Sequence, residues 1–141
     1  MPLNQTDLAQ FYGTENFTSL KGMAPLPMPF YATDGVRHVM EHGGGHGAFW
    51  LITAILSYQL DIFRKKDLRL RDMQFWKLTV RQSGERREAT LTCVADSGEK
   101  PAVTQNIEYT DFDLPEIDIW VEAGSIDGEH EAMIVMLPSE R

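Results

Sequence analysis

Apolar residues recur at two different periods along the chain, and the change falls between residues 66 and 73. Before it the spacing is helical. Asn4, a good cap, precedes "QTDLAQFY", which sets Leu8, Phe11 and Tyr12 at helical spacing. A glycine- and proline-rich loop follows, "GTENFTSLKGMAPLPMPFYA", where Pro25, Pro27 and Pro29 forbid a helix. Its Phe17, Leu20, Phe30 and Tyr31 predict a loop that lies along the protein. Thr33 then caps a helix over Asp34 to His42, stopped by Gly43 to Gly45, because glycine tolerates the left-handed conformation past a helix end. A second helix is predicted from Gly47 to Phe63. It is apolar nearly all round and so belongs at the centre of the core.

Beyond Asp72 the period becomes two. "MQFWKLTVRQ", "EATLTCVAD", "VTQNIEYT", "EIDIWVEA" and "EAMIVML" read as five strands, with turns at "SGER", "DSGEKP" and "DGEH". The spacings admit hairpins but no crossover helices, so an antiparallel sheet is expected. The prediction is one α+β domain over residues 1–141. Its helical part, 1–66, packs on a roughly five-stranded antiparallel sheet, 73–138.

Composition narrows the functions. A net charge of −8 argues against direct binding to nucleic acid, whose phosphates are held by lysine and arginine. The charge is uneven: Thr104 to Arg141 holds ten acids and one base, whereas Arg64 to Arg71 holds five bases and one acid. Such blocks are solvated faces or electrostatic partner surfaces. One cysteine, Cys93, excludes an intramolecular disulfide framework and fits a reducing compartment. The start "MPLNQTDLAQ" lacks the pattern of a signal peptide, and "AFWLITAILSYQL" is shorter than the roughly 20 residues that cross a bilayer. A cytoplasmic protein with no membrane contact is therefore expected.

The series "FYGTE", "YATDGV", "FWLITAILSYQ", "FWKL", "TLTC", "YTDFDLPEI" and "LPSER" resembles a family of small bacterial proteins of unknown function, often carried by phages and plasmids. The resemblance covers most of residues 11 to 141. It implies no reaction, and it points to an accessory role in a mobile element.

Four stretches carry candidate chemistry. "RHVMEHGGGHGAFW" contains His38-x-x-Glu41-His42, an inverted zinc-protease pattern with both histidines on one helix face and Glu41 as a base. However, Val36, Val39 and Met40 form the apolar stripe of that helix, so the histidines turn to water, and no second helix brings a third ligand. His46 would complete a His38, His42, His46 set. A solvated face, with no metal and no cofactor, is the expectation. Thr53, Ser57 and Asp61 stack at i, i+4 and i+8, as an exposed edge or as the wall of a small-ligand pocket. Cys93 shares a strand side with Ala89 and Leu91, which predicts a buried, inert thiol.

The strand "EIDIWVEA" is the most informative. Ile117, Ile119 and Val121 must face the core, which leaves Glu116, Asp118, Trp120 and Glu122 on the other face. A tryptophan among carboxylates suits an interface anchor for a basic protein partner, and the ordinary alternative is cross-strand pairing under a covering N-terminal loop. The leading expectation is a non-catalytic binding or inhibitory protein acting through this acidic surface. A small metal-dependent hydrolase and a small-ligand binder are the alternatives, and a homodimer is compatible with either.

Overall fold

The computed structural model describes residues 3–11 and 13–141, so Tyr12 of the first expected helical stripe lies outside them. The chain order is α1 (Gln5–Ala9), β1 (Thr18–Ser19), β2 (Phe30–Ala32), α2 (Asp34–His42), α3 (Phe49–Ser57) and α4 (Gln59–Ile62). A 3-10 turn (Leu68–Arg71) leads into β3 (Met73–Ser83), β4 (Arg86–Val94), β5 (Val103–Ile107), β6 (Glu116–Gly124) and β7 (Ala132–Met136). A second 3-10 turn, Pro138–Glu140, closes the chain. The architecture is α+β, with a seven-stranded sheet in the order β1-β2-β7-β6-β3-β4-β5.

Two expectations need correction. The sheet has seven strands rather than five, because the proline-rich segment contributes β1 and β2. These are two and three residues long, too short to show a period. The sheet is also not wholly antiparallel, since β2 runs parallel to β7, Tyr31 beside Ile134. That pairing joins segments far apart in the chain, which local spacings do not report. The other pairs are antiparallel.

Both predicted caps form: the Asn4 side chain accepts from the Asp7 N–H, and Thr33 from the Val36 N–H. The second long helix breaks at Tyr58, between α3 and α4. The Ser57 hydroxyl donates to the Ala54 carbonyl at 2.6 Å, and the Tyr58 N–H reaches back only three residues, to Ile55. Bonds of both kinds compete with the i to i−4 ladder and end it.

The helices cover one face of the sheet. Val36 and Val39 of α2 and Leu51, Ile52, Ile55 and Leu56 of α3 form one buried cluster with Trp76, Leu78, Leu91, Cys93, Ile119 and Val121 from the strands. Inside this layer lie two uncharged polar side chains with no exposure, Gln59 of α4 and Gln74 of β3. Their carboxamides bond reciprocally, each Nε2 to the other's Oε1 at 2.9 Å. The remaining Nε2 hydrogens go to the carbonyls of Ile55 and Leu70, and the Trp76 indole donates to Gln74 Oε1 at 2.8 Å. Every polar atom of the pair is thereby satisfied, which removes the cost of burying it.

Strand β7 is buried on both sides. Met133 and Val135 join the main core, whereas Ala132, Ile134 and Met136 form a second cluster with Tyr31 and Trp120 on the opposite face.

The glutamine pair should behave as a unit. Gln74→Leu leaves Trp76 Nε1, Gln59 Oε1 and one Gln59 Nε2 hydrogen unpaired, so it should cost more than Gln59→Leu, at about 1–3 kcal/mol for each buried group left unpaired. The double variant should cost less than the sum, with a coupling of roughly 0.5–3 kcal/mol. Urea unfolding of the three variants measures this. Strict additivity would mean that the two amides act independently.

Candidate functional site

The outer face of the sheet is built by alternation along β3 and β6. Ile117, Ile119 and Val121 are buried against the helices, and Glu116, Asp118, Trp120 and Glu122 face outward, as the strand pattern predicts. Antiparallel register sets Phe75 opposite Trp120, Lys77 opposite Asp118 and Thr79 opposite Glu116. The Phe75 and Trp120 rings meet edge to face, 5.2 Å between centroids at 85°. This geometry sets the positive ring edge against the negative face. On its other side Trp120 pairs with Met136 and packs on the second apolar cluster, which leaves it half-buried.

The acidic character expected of this face is largely offset. Lys77 Nζ lies 3.7 Å from Glu116 and 3.9 Å from Asp118, and Arg141 lies 3.1 Å from Glu122. Such exposed pairs contribute little stability, yet they turn a run of carboxylates into a mixed surface. One ammonium shared by two carboxylates leaves Asp118 short of positive charge. Burial pushes its carboxyl pKa above the ordinary value, Lys77 only partly opposes this, and Glu116 adds to it.

Beside these residues opens a hollow of about 440 Å³. Phe75, Lys77, Thr92 and Val94 line it from β3 and β4, Asp118 and Trp120 from β6, and Asp96 to Gly98 from the β4–β5 loop. It therefore joins an aromatic pair, one cation, an under-compensated carboxylate and a polar loop.

A model described as "Family of unknown function (DUF6876)" matches residues 2–141. The chain belongs to this family. No curated protein and no solved structure matches it.

In this DUF6876 chain the histidine-glycine stretch has a structural explanation. His38 is half-buried against Phe11, with ring centroids 5.3 Å apart, and its ring meets that of His42 at a tilt, 4.6 Å between centroids. Burial lowers its pKa, and His42 lowers it further. Glu41 is held by Arg37 at 2.9 Å, which lowers its carboxyl pKa, and His46 is exposed in the loop. Among the described residues, no three His, Cys, Asp or Glu side chains come within reach of one metal ion.

The glycines instead receive the segment "TDFDL". Gly44 N–H donates to Asp113 at 3.0 Å and Gly45 N–H to Asp111 at 2.8 Å, while Phe112 is fully buried between them. Gly43 does not take the left-handed conformation expected at the helix end; its φ is −73°. It is glycine for want of space, since a Cβ would stand 2.6 Å from that of Ala48. Gly44, at φ 68°, is the residue that needs left-handed backbone.

The line Thr53, Ser57 and Asp61 is divided between two helices. The break at Tyr58 puts Asp61 on α4, in a cleft beside β5 that neither Thr53 nor Ser57 lines. Ser57 bonds back to its own helix. Cys93 is buried, and burial pushes its thiol up to about 12.

Sequence reasoning missed the carboxylates that tie segments together. Glu140 accepts from the Thr33 hydroxyl at 2.6 Å, the Gly35 N–H at 2.9 Å and the Leu137 N–H at 3.0 Å. It thus docks the closing turn on the positive end of α2. Asp113 likewise accepts from the Leu3 N–H at 2.8 Å. The available signal was the pair of acids in "DFDLP" with no local base, answering a glycine stretch elsewhere; "LPSER" carried none, because Arg141 stands next to Glu140.

If glycine geometry rather than histidine chemistry governs residues 38–47, Gly44→Ala should lower stability by about 1–3 kcal/mol through backbone strain. His42→Ala should change it by less than about 0.5 kcal/mol. Thermal or urea unfolding of the two variants compares them, and the reverse ranking would return the histidines to consideration. Cys93 should resist alkylation at pH 8 in the folded protein and react on denaturation. Rapid labelling of the native state would contradict its burial.

Proposed function

We propose that this protein is a non-catalytic binding module, an accessory or inhibitory protein of a mobile element, which grips a basic protein partner through the outer face of the sheet. The observation that carries this reading is the hollow bounded by the Phe75–Trp120 pair and Asp118. A half-buried tryptophan backed by a second aromatic ring is a rigid apolar anchor. Asp118 shares its one cation, so a lysine or arginine brought by a partner would offset the burial that raises its pKa. Association would be drawn by the surplus of acids over the last third of the chain. The mobile-element setting rests on the resemblance of the motif series to small proteins carried by phages and plasmids. A cytoplasmic setting is supported by the single buried thiol. No helix among the described residues is long and apolar enough to cross a membrane.

The test is photo-crosslinking in host cells from a probe at Ser97, exposed in the loop at the rim of the hollow, followed by kinetics with the captured protein. Trp120→Ala should weaken binding by about 2 kcal/mol or more, mainly through faster dissociation. Asp118→Asn should mainly slow association and flatten its salt dependence. Because Trp120 packs on Phe75, far-UV circular dichroism and thermal unfolding check that each variant is folded. Thr92→Glu fills the hollow while keeping the aromatic pair, and it should block binding by itself. Unchanged kinetics in folded Trp120→Ala and Thr92→Glu would leave this face an ordinary surface.

A further inference from the structure

The two edges of the sheet are protected very differently. At one end β1 is two residues long, too short to template another strand. At the other end β5 offers five residues, Val103-Thr104-Gln105-Asn106-Ile107, with no charge, no proline and no glycine. It pairs with β4 on one side only. Among the described residues, no backbone or side-chain group hydrogen-bonds to its outer edge, and its polar side chains look elsewhere: Gln105 accepts from Tyr58, and Asn106 from Thr90. Sheets ordinarily blunt such an edge with lysine, proline or a bulge. This one is left open.

We infer that the open edge of β5 binds a second copy of the chain, β5 against β5 in antiparallel register about Gln105, forming a two-fold dimer with one continuous sheet. The sequence is complementary to itself in this register. Val103 lies across from Ile107 and Thr104 across from Asn106, so the apolar pair continues the helix-covered layer and the polar pair continues the outer face. A two-fold contact requires this kind of self-matching. Beyond the strand the chain still follows β4, since the Thr110 N–H bonds to the Arg87 carbonyl at 3.0 Å. The intervening Tyr109 is the most exposed large apolar side chain among the described residues, at 72%. In the dimer it reaches the other copy beside Ala102 and Val103, where a cleft of about 280 Å³ lies between α4 and β5. Each copy thus supplies one knob and one hole, an occupant that Tyr109 otherwise lacks.

Sedimentation velocity of the full chain over a range of concentrations tests the inference. The wild type should sediment as a dimer that dissociates on dilution, and Tyr109→Ala should shift this equilibrium toward monomer. Thr104→Lys with Asn106→Lys sets introduced lysines across from one another and should abolish the dimer. Thr104→Lys with Asn106→Glu sets opposite charges across the two-fold axis and should keep it. Both positions are exposed, so circular dichroism should match the wild type throughout. A wild type that stays monomeric at millimolar concentration overturns the inference. So does a dimer that survives the lysine pair, or one that responds alike to both double variants.

Discussion

The reciprocal amide pair of Gln59 and Gln74 is the constraint on which the arrangement of layers depends. Apolar packing has little direction, and α3, apolar on most sides, could slide or rotate on the sheet at modest cost. Two buried carboxamides cannot. Each has one placement in which its donors and acceptors are all met, and that placement fixes α4 over β3 at one height and one rotation. Because Gln74 also holds the Trp76 indole, the largest buried side chain is oriented by the same contact. A misplaced layer would leave several buried polar groups unpaired, and the penalty for this exceeds the gain from any single apolar contact.

A second set of contacts works by the same rule at the periphery. Carboxylates late in the chain are received by backbone amides early in it: Asp113 by Leu3 and Gly44, Asp111 by Gly45, and Glu140 by Gly35. Gly35 is shaped by this as well, since a Cβ there would stand 2.5 Å from Glu140 Oε1. Gly35, Gly44 and Gly45 therefore record close approach of backbone and carboxylate. They also bring the start and end of the fold against α2.

How much of this was legible in the sequence follows from the range of each interaction. The alternation in "EIDIWVEA" and "MQFWKLTVRQ" is a local consequence of the pleat, so the inward and outward faces of β6 and β3 could be read directly. Ion pairing could not be read in the same way. Counting charges along the chain made the strand of Glu116, Asp118 and Glu122 look uncompensated, but Lys77 and Arg141 reach it through register and through the closing turn. Strands β1 and β2 carry no period because they are too short, and their partners are remote. Gln74 was readable in principle: it alternates with Trp76, Leu78 and Val80, which should have marked it as an inward polar group in need of a partner. Gln59 offered less, since its position depends on the break at Tyr58, and that break arises from hydroxyl and backbone competition rather than from helix propensity.

The parallel pairing of β2 with β7 has a consequence in time. On the ribosome Phe30 to Ala32 emerge well before their sheet neighbour, Met133 to Val135. Strand β7 lies between β2 and β6, so the sheet cannot be assembled outward from its first strands. The hairpin of β3 and β4 can form as it appears and begin to cover α2 and α3, whereas β2 waits for its neighbour until β7 arrives. Closing so distant a contact is slow, and the nascent chain is vulnerable to aggregation and proteolysis throughout the delay. The sheet can therefore be completed only after translation has passed β7.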